Sequence, residues 1–221
     1  MDFTENSYYQ EKFFRFSVLN EIIEARVFEE CEFQVCSFIN CKFEKCKFLH
    51  CELKECTFSA INPHESRFLE VKFYRSKVIG FDWAKSAKVE DLEFTDCQIN
   101  YSNFKLLKVP KIKIINCQAK EVDFIETDMN HGTFKNTDFE KSRFLKTDLS
   151  YSDFSGAKNY SINLLDNNLK KAKFNSFTRR FARRWPTLPA SFCSTDWPKA
   201  RKTWANWPST CKSASPLSRG T

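Results

Sequence analysis

The chain has 221 residues, 42 % hydrophobic and 29 % charged, with a formal net charge of +7. That composition supports one substantial core and excludes a chain too polar to fold. Only 4 Gly, together with the lack of any apolar run near eighteen residues, argues against Gly-rich phosphate loops and a membrane-spanning helix.

The opening MDFTENSYYQEKFF has acids and tyrosines where a signal peptide has a basic and then an apolar stretch, so a non-exported, cytoplasmic protein is expected. From that start, large apolar residues recur at every fifth position: Phe3, Tyr8, Phe13, Val18, Ile23 and Phe28. Across 31–58 the pattern sharpens. Cys31, Cys36, Cys41, Cys46, Cys51 and Cys56 are each followed two residues later by Phe33, Phe38, Phe43, Phe48, Leu53 and Phe58. Pro63 occupies the next slot, within INPHES, and marks a local irregularity; Phe68, Phe73, Val78 and Trp83 follow.

Between Trp83 and Val89 the register slips by one residue. It then runs through Val89, Phe94, Ile99, Phe104, Val109, Ile114, Ala119, Phe124, Met129, Phe134, Phe139, Phe144, Leu149 and Phe154. It lapses at Asn159 and resumes at Leu164, Leu169 and Phe174. Two residues before these positions sit small side chains, among them Ala87, Cys97, Ser102, Cys117, Thr127, Gly132, Thr137, Ser142, Thr147 and Ser152. Eighteen of the 24 Phe lie on the two ladders, too many for chance.

A period of five fits neither a helix nor an open strand. It fits a backbone that turns a corner in every unit, with one large and one small side chain inward and three outward. Four units then close one square coil of about 20 residues, and coils stack at about 4.8 Å. Residues 1–174 give between eight and nine coils, a rod roughly 40 Å long. Stability is expected to be nearest-neighbour in character.

Residues 175–221 differ in kind. They carry Arg179, Arg180, Arg183, Arg184, Lys199, Arg201, Lys202, Lys212 and Arg219 against the single acid Asp196, which leaves residues 1–174 near −1. They also hold four of the five Trp and no Ile or Val. Three readings stand side by side: a basic aromatic segment binding nucleic acid or a membrane surface, a disordered extension, or an out-of-frame sequence replacing a natural end.

The recurring units CEFQV, CKFEK, TDFEK, SRFLK, TDLSY and SDFSG resemble those of the pentapeptide-repeat proteins, over nearly all of 1–174. The resemblance implies an all-β fold, a right-handed quadrilateral β-helix. Within that family the chain is most similar to the Qnr-type quinolone-resistance and microcin-immunity members. This implies a rod of the width of duplex DNA that contacts DNA gyrase or topoisomerase IV. It also implies a homodimer through the C-terminal end where a natural end segment is present. The slip near 79–89 leaves little room for the long loops that many Qnr-type proteins project.

Candidate sites are few. Repeated C-x4-C spacing is not a zinc pattern. Stacked pairs such as Cys31 with Cys51 and Cys36 with Cys56 are close enough for a bridge, and free packed thiols are expected in a reducing compartment. His50, His64 and His131 read as surface residues, and acid pairs such as Glu29–Glu30 and Glu90–Asp91 as solvated groups. No nucleophile elbow, HExxH or P-loop is present. The chain is therefore expected to be no enzyme, with no metal, cofactor, small-molecule substrate or membrane partner. The remaining candidates are the acids Asp123, Glu126, Asp128, Asp138, Glu140, Asp148 and Asp153, several directly before an inward residue and expected to line up along the rod. They read either as a phosphate-like stripe facing a basic DNA-binding saddle or as Asp serving tight corners.

Overall fold

In the computed structural model, residues 3–174 are described. The boundary at 174, the three readings of 175–221 and a dimer through the C-terminal end all fall on or beyond the edge of these residues.

The described chain is a right-handed β-helix of four faces. Each five-residue unit supplies one side of a coil. Ser7–Tyr9, Val27–Glu29, Lys47–Leu49, Arg67–Leu69 and Lys88–Glu90 pair in parallel on the first face. Lys12–Phe14, Glu32–Gln34, Glu52–Lys54, Lys72–Tyr74, Glu93–Thr95 and Lys113–Ile115 form the second. Ser17–Leu19, Ser37–Ile39, Thr57–Ser59 and Lys77–Ile79 form the third, and Ile22–Glu24 with Lys42–Glu44 begins the fourth. From Gln98 onward the faces continue mainly as single bridges, such as Gln98 with Gln118 and Asp128 with Asp148.

The corner is a residue in the left-handed region, two positions after the inward ladder residue in all but the first unit, at Phe3, and the irregular units at Trp83 and Leu164. Gln10, Arg15, Asn20, Glu30, Asn116 and His131 all have φ between 53° and 59° except Arg15 at 51°. An L residue there costs about 1–2 kcal/mol. What holds it is its own N–H, which donates to a carbonyl of the next coil: Gln10 to Glu29 and Asn116 to Lys135, both at 2.9 Å. In the later coils the corner also closes as a type II turn, as where Gly132 N–H donates to Met129 at 3.0 Å.

Inside, coil-to-coil register stacks ring on ring. Phe13 lies 4.7 Å from Phe33, Phe28 4.9 Å from Phe48, and Phe48 5.0 Å from Phe68, all near parallel. Rings on adjacent faces meet edge-on, as Phe43 with Phe48 at 5.3 Å and 80°. Phe28, Phe33, Phe38, Phe43, Phe48, Leu53, Phe58, Phe68, Phe73, Phe94, Phe104, Phe124, Phe134, Phe139, Phe144, Leu149 and Phe154 are all buried. Such stacked and edge-on pairs add about 0.5–1.5 kcal/mol each beyond area burial.

The small inward ladder has a polar task as well. Cys46 Sγ donates to the Ile23 carbonyl at 3.1 Å and Cys51 Sγ to Phe28 at 3.3 Å. Where Ser or Thr replaces Cys the same bond persists: Ser66 to Phe43 at 3.0 Å, Thr127 to Phe104 at 2.9 Å. Each satisfies a second lone pair of a ladder carbonyl one coil back. This is why Cys, Ser and Thr interchange here. Cys31, Cys36, Cys41, Cys46, Cys51 and Cys56 are buried free thiols. Burial pushes Cys46 up to about 11 and Cys51 up to about 12. Cys56 is pushed up by its hydrogen bond with Cys36 and by burial.

The register slip is a single short 3-10 turn at Trp83–Lys85, with Ser86 N–H donating to Trp83 at 3.0 Å. Strand pairing shifts there from twenty residues to twenty-one, Arg67 opposite Lys88, and returns to twenty with Glu93 opposite Lys113. No loop projects. Phe81 stacks on Trp83 at 3.8 Å and fills the space, while Ala87, expected inward, is exposed. Pro63 keeps its inward slot in a coil side without a strand. At the second lapse Asn159 is itself a corner, φ 58°. Tyr160 and Ile162 take the inward places, leaving Leu164, expected on the ladder, half-buried.

Two corners are glycine. A methyl at Gly80 meets nothing nearer than 3.8 Å, whereas one at Gly156 collides with the Asn136 side-chain oxygen. Gly80→Ala is therefore expected to cost about 1 kcal/mol and Gly156→Ala at least about 2 kcal/mol in urea unfolding. Equal costs would show the Asn136 amide to be free to swing away. The thiols give a second expectation. An unfolded thiol titrates near 8.5, below Cys46 and Cys51 in the fold, so their stabilisation is complete below that pH. It is lost as pH climbs toward 11–12. The urea midpoint of Cys46→Ala/Cys51→Ala should fall less between pH 9 and 11 than that of the parent chain; parallel curves would contradict this.

Candidate functional site

The five candidate Asp, Asp123, Asp128, Asp138, Asp148 and Asp153, follow one local rule. Each sits one residue before a ladder position, and its carboxylate accepts the N–H two residues on. The distances are 3.1 Å for Asp123 to Ile125, 3.1 Å for Asp128 to Asn130 and 3.2 Å for Asp138 to Glu140. They are 2.8 Å for Asp148 to Ser150 and 2.9 Å for Asp153 to Ser155. These are Asx turns that shape the approach to the corner. The corner preference of Asp thus accounts for their positions in the sequence.

Their alignment differs from expectation. Asp123 continues the fourth face, Asp138 the third and Asp153 the second; only Asp128 and Asp148 share a column. The reason is the spacing: only a separation of twenty residues returns to the same side of the coil. Cations also meet most of the acids. Arg143 pairs with Asp123 at 2.5 Å and Lys146 with Glu126 at 3.3 Å. Lys120 pairs with Glu140 at 2.9 Å and reaches Asp138 at 3.7 Å, and Lys135 reaches Asp153 at 3.5 Å. Asp128 and Asp148 have amide partners instead, Asn130 Nδ2 at 2.6 Å and Asn168 Nδ2 at 3.1 Å.

The histidines make surface contacts. His50 lies 3.2 Å from Glu70, His64 3.9 Å from Glu65, and His131 stacks on Tyr151 at 4.7 Å. Among the described residues no three His, Cys, Asp or Glu gather to hold a metal ion, and no helix is long and apolar enough to cross a membrane. Concave surface is shallow. One hollow of about 330 Å³ lies between Glu52, Lys54, Tyr74, Arg75 and Asp96. Another of about 520 Å³ lies at the register slip and is rimmed by Lys88, Lys105 and Lys108. Sequence reading missed this second hollow, although the slip that creates it was visible.

Comparison with known proteins agrees with the geometry. The model of the pentapeptide repeat region matches residues 26–104, and that of pentapeptide repeats in eight copies matches 115–158, together more than half of the chain. No curated protein sequence matched. Among solved structures, a trypsin-treated variant of QnrB1, a plasmid-mediated fluoroquinolone resistance protein, superposes with a TM-score of 0.59 at 12 % identity. The match covers 77 % of this chain and 92 % of that one. Full-length QnrB1 gives 0.51 at 12 % identity, covering 75 % and 94 %. At such identity these structures speak for the fold alone. The repeat-model matches, the twenty-residue register and the stacked Phe core make this chain a member of the pentapeptide-repeat proteins.

Proposed function

We propose that this chain is a non-catalytic binding protein that engages a bacterial type II topoisomerase, DNA gyrase or topoisomerase IV, in the cytoplasm. In this reading it shields the enzyme from quinolones or from a peptide toxin. The observation that supports it is a solenoid similar over 94 % of the full-length QnrB1 chain, itself a plasmid-mediated fluoroquinolone resistance protein. Partner contact would rest on the outward acids, foremost Asp128 and Asp148, which share one column and form no ion pair among the described residues. Asp123, Glu126, Asp138 and Asp153 would contribute less, because their pairing with Arg143, Lys146, Lys120 and Lys135 weakens a phosphate-like field.

That same pairing favours a second reading, a rigid scaffold presenting flat faces to another partner. A supercoiling assay with ciprofloxacin separates the two. With the full chain present, gyrase is expected to recover supercoiling, and Asp128→Asn/Asp148→Asn is expected to need several-fold more protein for the same recovery. No recovery at any ratio of folded chain to gyrase would leave the scaffold reading.

A further inference from the structure

One outward column of the first face changes sign once along its length. Coil by coil it reads Lys47, Arg67, Lys88, Lys108, then Asp128 and Asp148. Arg67 stands in register with Lys47 on one side and Lys88 on the other. Lys88 and Lys108 rim one hollow, and Lys108 is bridged to Asp128. Lys47, Arg67 and Lys88 therefore stand one paired strand apart, at about 4.8 Å, and Lys108 follows across the hollow in the next coil.

All four are exposed. Lys88 pairs with Glu90 at 2.9 Å, and the other three form no ion pair among the described residues. Elsewhere the fold sets opposite charges in adjacent coils, as Lys113 with Glu93 at 3.0 Å and Lys146 with Glu126 at 3.3 Å. Like charges facing each other across strands are destabilising, so this column runs against the pattern of its own molecule. Nearby charge does not cancel it. Glu70 faces His50, Lys85 holds Asp82 at 3.1 Å, and Lys105 adds a further cation at the hollow. Glu65, 3.9 Å from His64, and the corner residue Asp91 are further acids beside the column, against the cations Lys45, Lys85, Lys105 and Lys111.

The backbone groups of these coils already bond along the axis, as Arg67 N–H to Cys46 and Lys47 N–H to Arg26, both at 2.8 Å. Over Lys47 and Arg67 the face thus offers a partner its side chains, and Lys88–Glu90 is the last strand of its sheet. A line of cations suits a polyanion of high linear charge density, whose condensed counterions are released on binding. The acidic face of a protein carries its charge more sparsely.

We propose that Lys47, Arg67, Lys88 and Lys108 form a strip that binds the phosphate backbone of a nucleic acid laid along the coil axis. Asp128 and Asp148 end the strip and limit the footprint to a few phosphates. This inference is independent of topoisomerase binding.

The test uses the full chain and fluorescence anisotropy with a labelled 20-nucleotide single strand and a 20-base-pair duplex, over a salt series. One variant carries Lys47→Gln, Arg67→Gln, Lys88→Gln and Lys108→Gln. A control carries Lys12→Gln, Lys72→Gln, Lys113→Gln and Lys135→Gln on the second face; both keep the basic C-terminal segment and lose equal charge. The strip variant is expected to bind at least about tenfold more weakly, with the slope of log K against log salt smaller by about 3. The control is expected to change by less than about threefold. Arg67→Gln alone, which leaves the core untouched, is expected to lower the slope by about 0.7–0.9. Whichever probe binds more tightly identifies the form of nucleic acid. Equal losses in strip and control, an unchanged slope in Arg67→Gln, or poly-glutamate bound as tightly as DNA would overturn the proposal, the last pointing to an acidic protein surface.

Discussion

The structure depends on hydrogen bonds that run from coil to coil along the axis. A corner residue in the left-handed region is costly alone, and it persists because its N–H reaches a carbonyl in the next coil, as Gln10 reaches Glu29. Those bonds fix the twenty-residue register. The register in turn places Phe28 on Phe48 and Phe48 on Phe68. Backbone satisfaction and core packing are thus one constraint, so any insertion must be absorbed at a corner. The extra residue near Trp83 obeys this: a single tight turn takes it up, Phe81 stacks on Trp83, and pairing on the second face returns to twenty residues.

The inward positions leave little freedom, and the outward ones carry whatever is particular to this chain. The small ladder must fit between rings, and where it is Cys, Ser or Thr it also donates to a carbonyl. The position before each ladder residue is free to be charged. Where it is Asp it also braces the turn, so an acid there has a local cause before any partner is invoked. A basic residue in that column gains nothing comparable from the fold. That asymmetry gives the run Lys47, Arg67, Lys88, Lys108 more weight as evidence of a partner than the acids that follow it in the same column.

Much of this was legible in the sequence because a period of five imposes itself on every unit. The ladder could be counted through Pro63, which keeps its slot, and the slip before Val89 was visible as one step of six residues. What could not be read was how an irregular corner repacks. Ala87 looked inward by spacing and is exposed, because the short turn displaces it; Tyr160 and Ile162 replace Leu164 because Asn159 makes the corner early. The acids misled for a different reason. Residues five or ten apart in sequence look like neighbours in a list, yet lie on different sides of the coil. The cationic column was legible by the same rule, with steps of twenty or twenty-one, and needed only to be read down a face.

Membership of the pentapeptide-repeat proteins fixes the scaffold, and a scaffold carries many functions. The claim on which the rest stands is that corner amides are bonded across coils. Residue-resolved hydrogen exchange tests it most directly. The account predicts that Asn116, Glu121, Glu126 and His131, all exposed left-handed corners, exchange as slowly as strand amides such as Lys113, because each donates to the coil beyond. Exchange at those corners as fast as in an open loop, with the strand amides still protected, would contradict it.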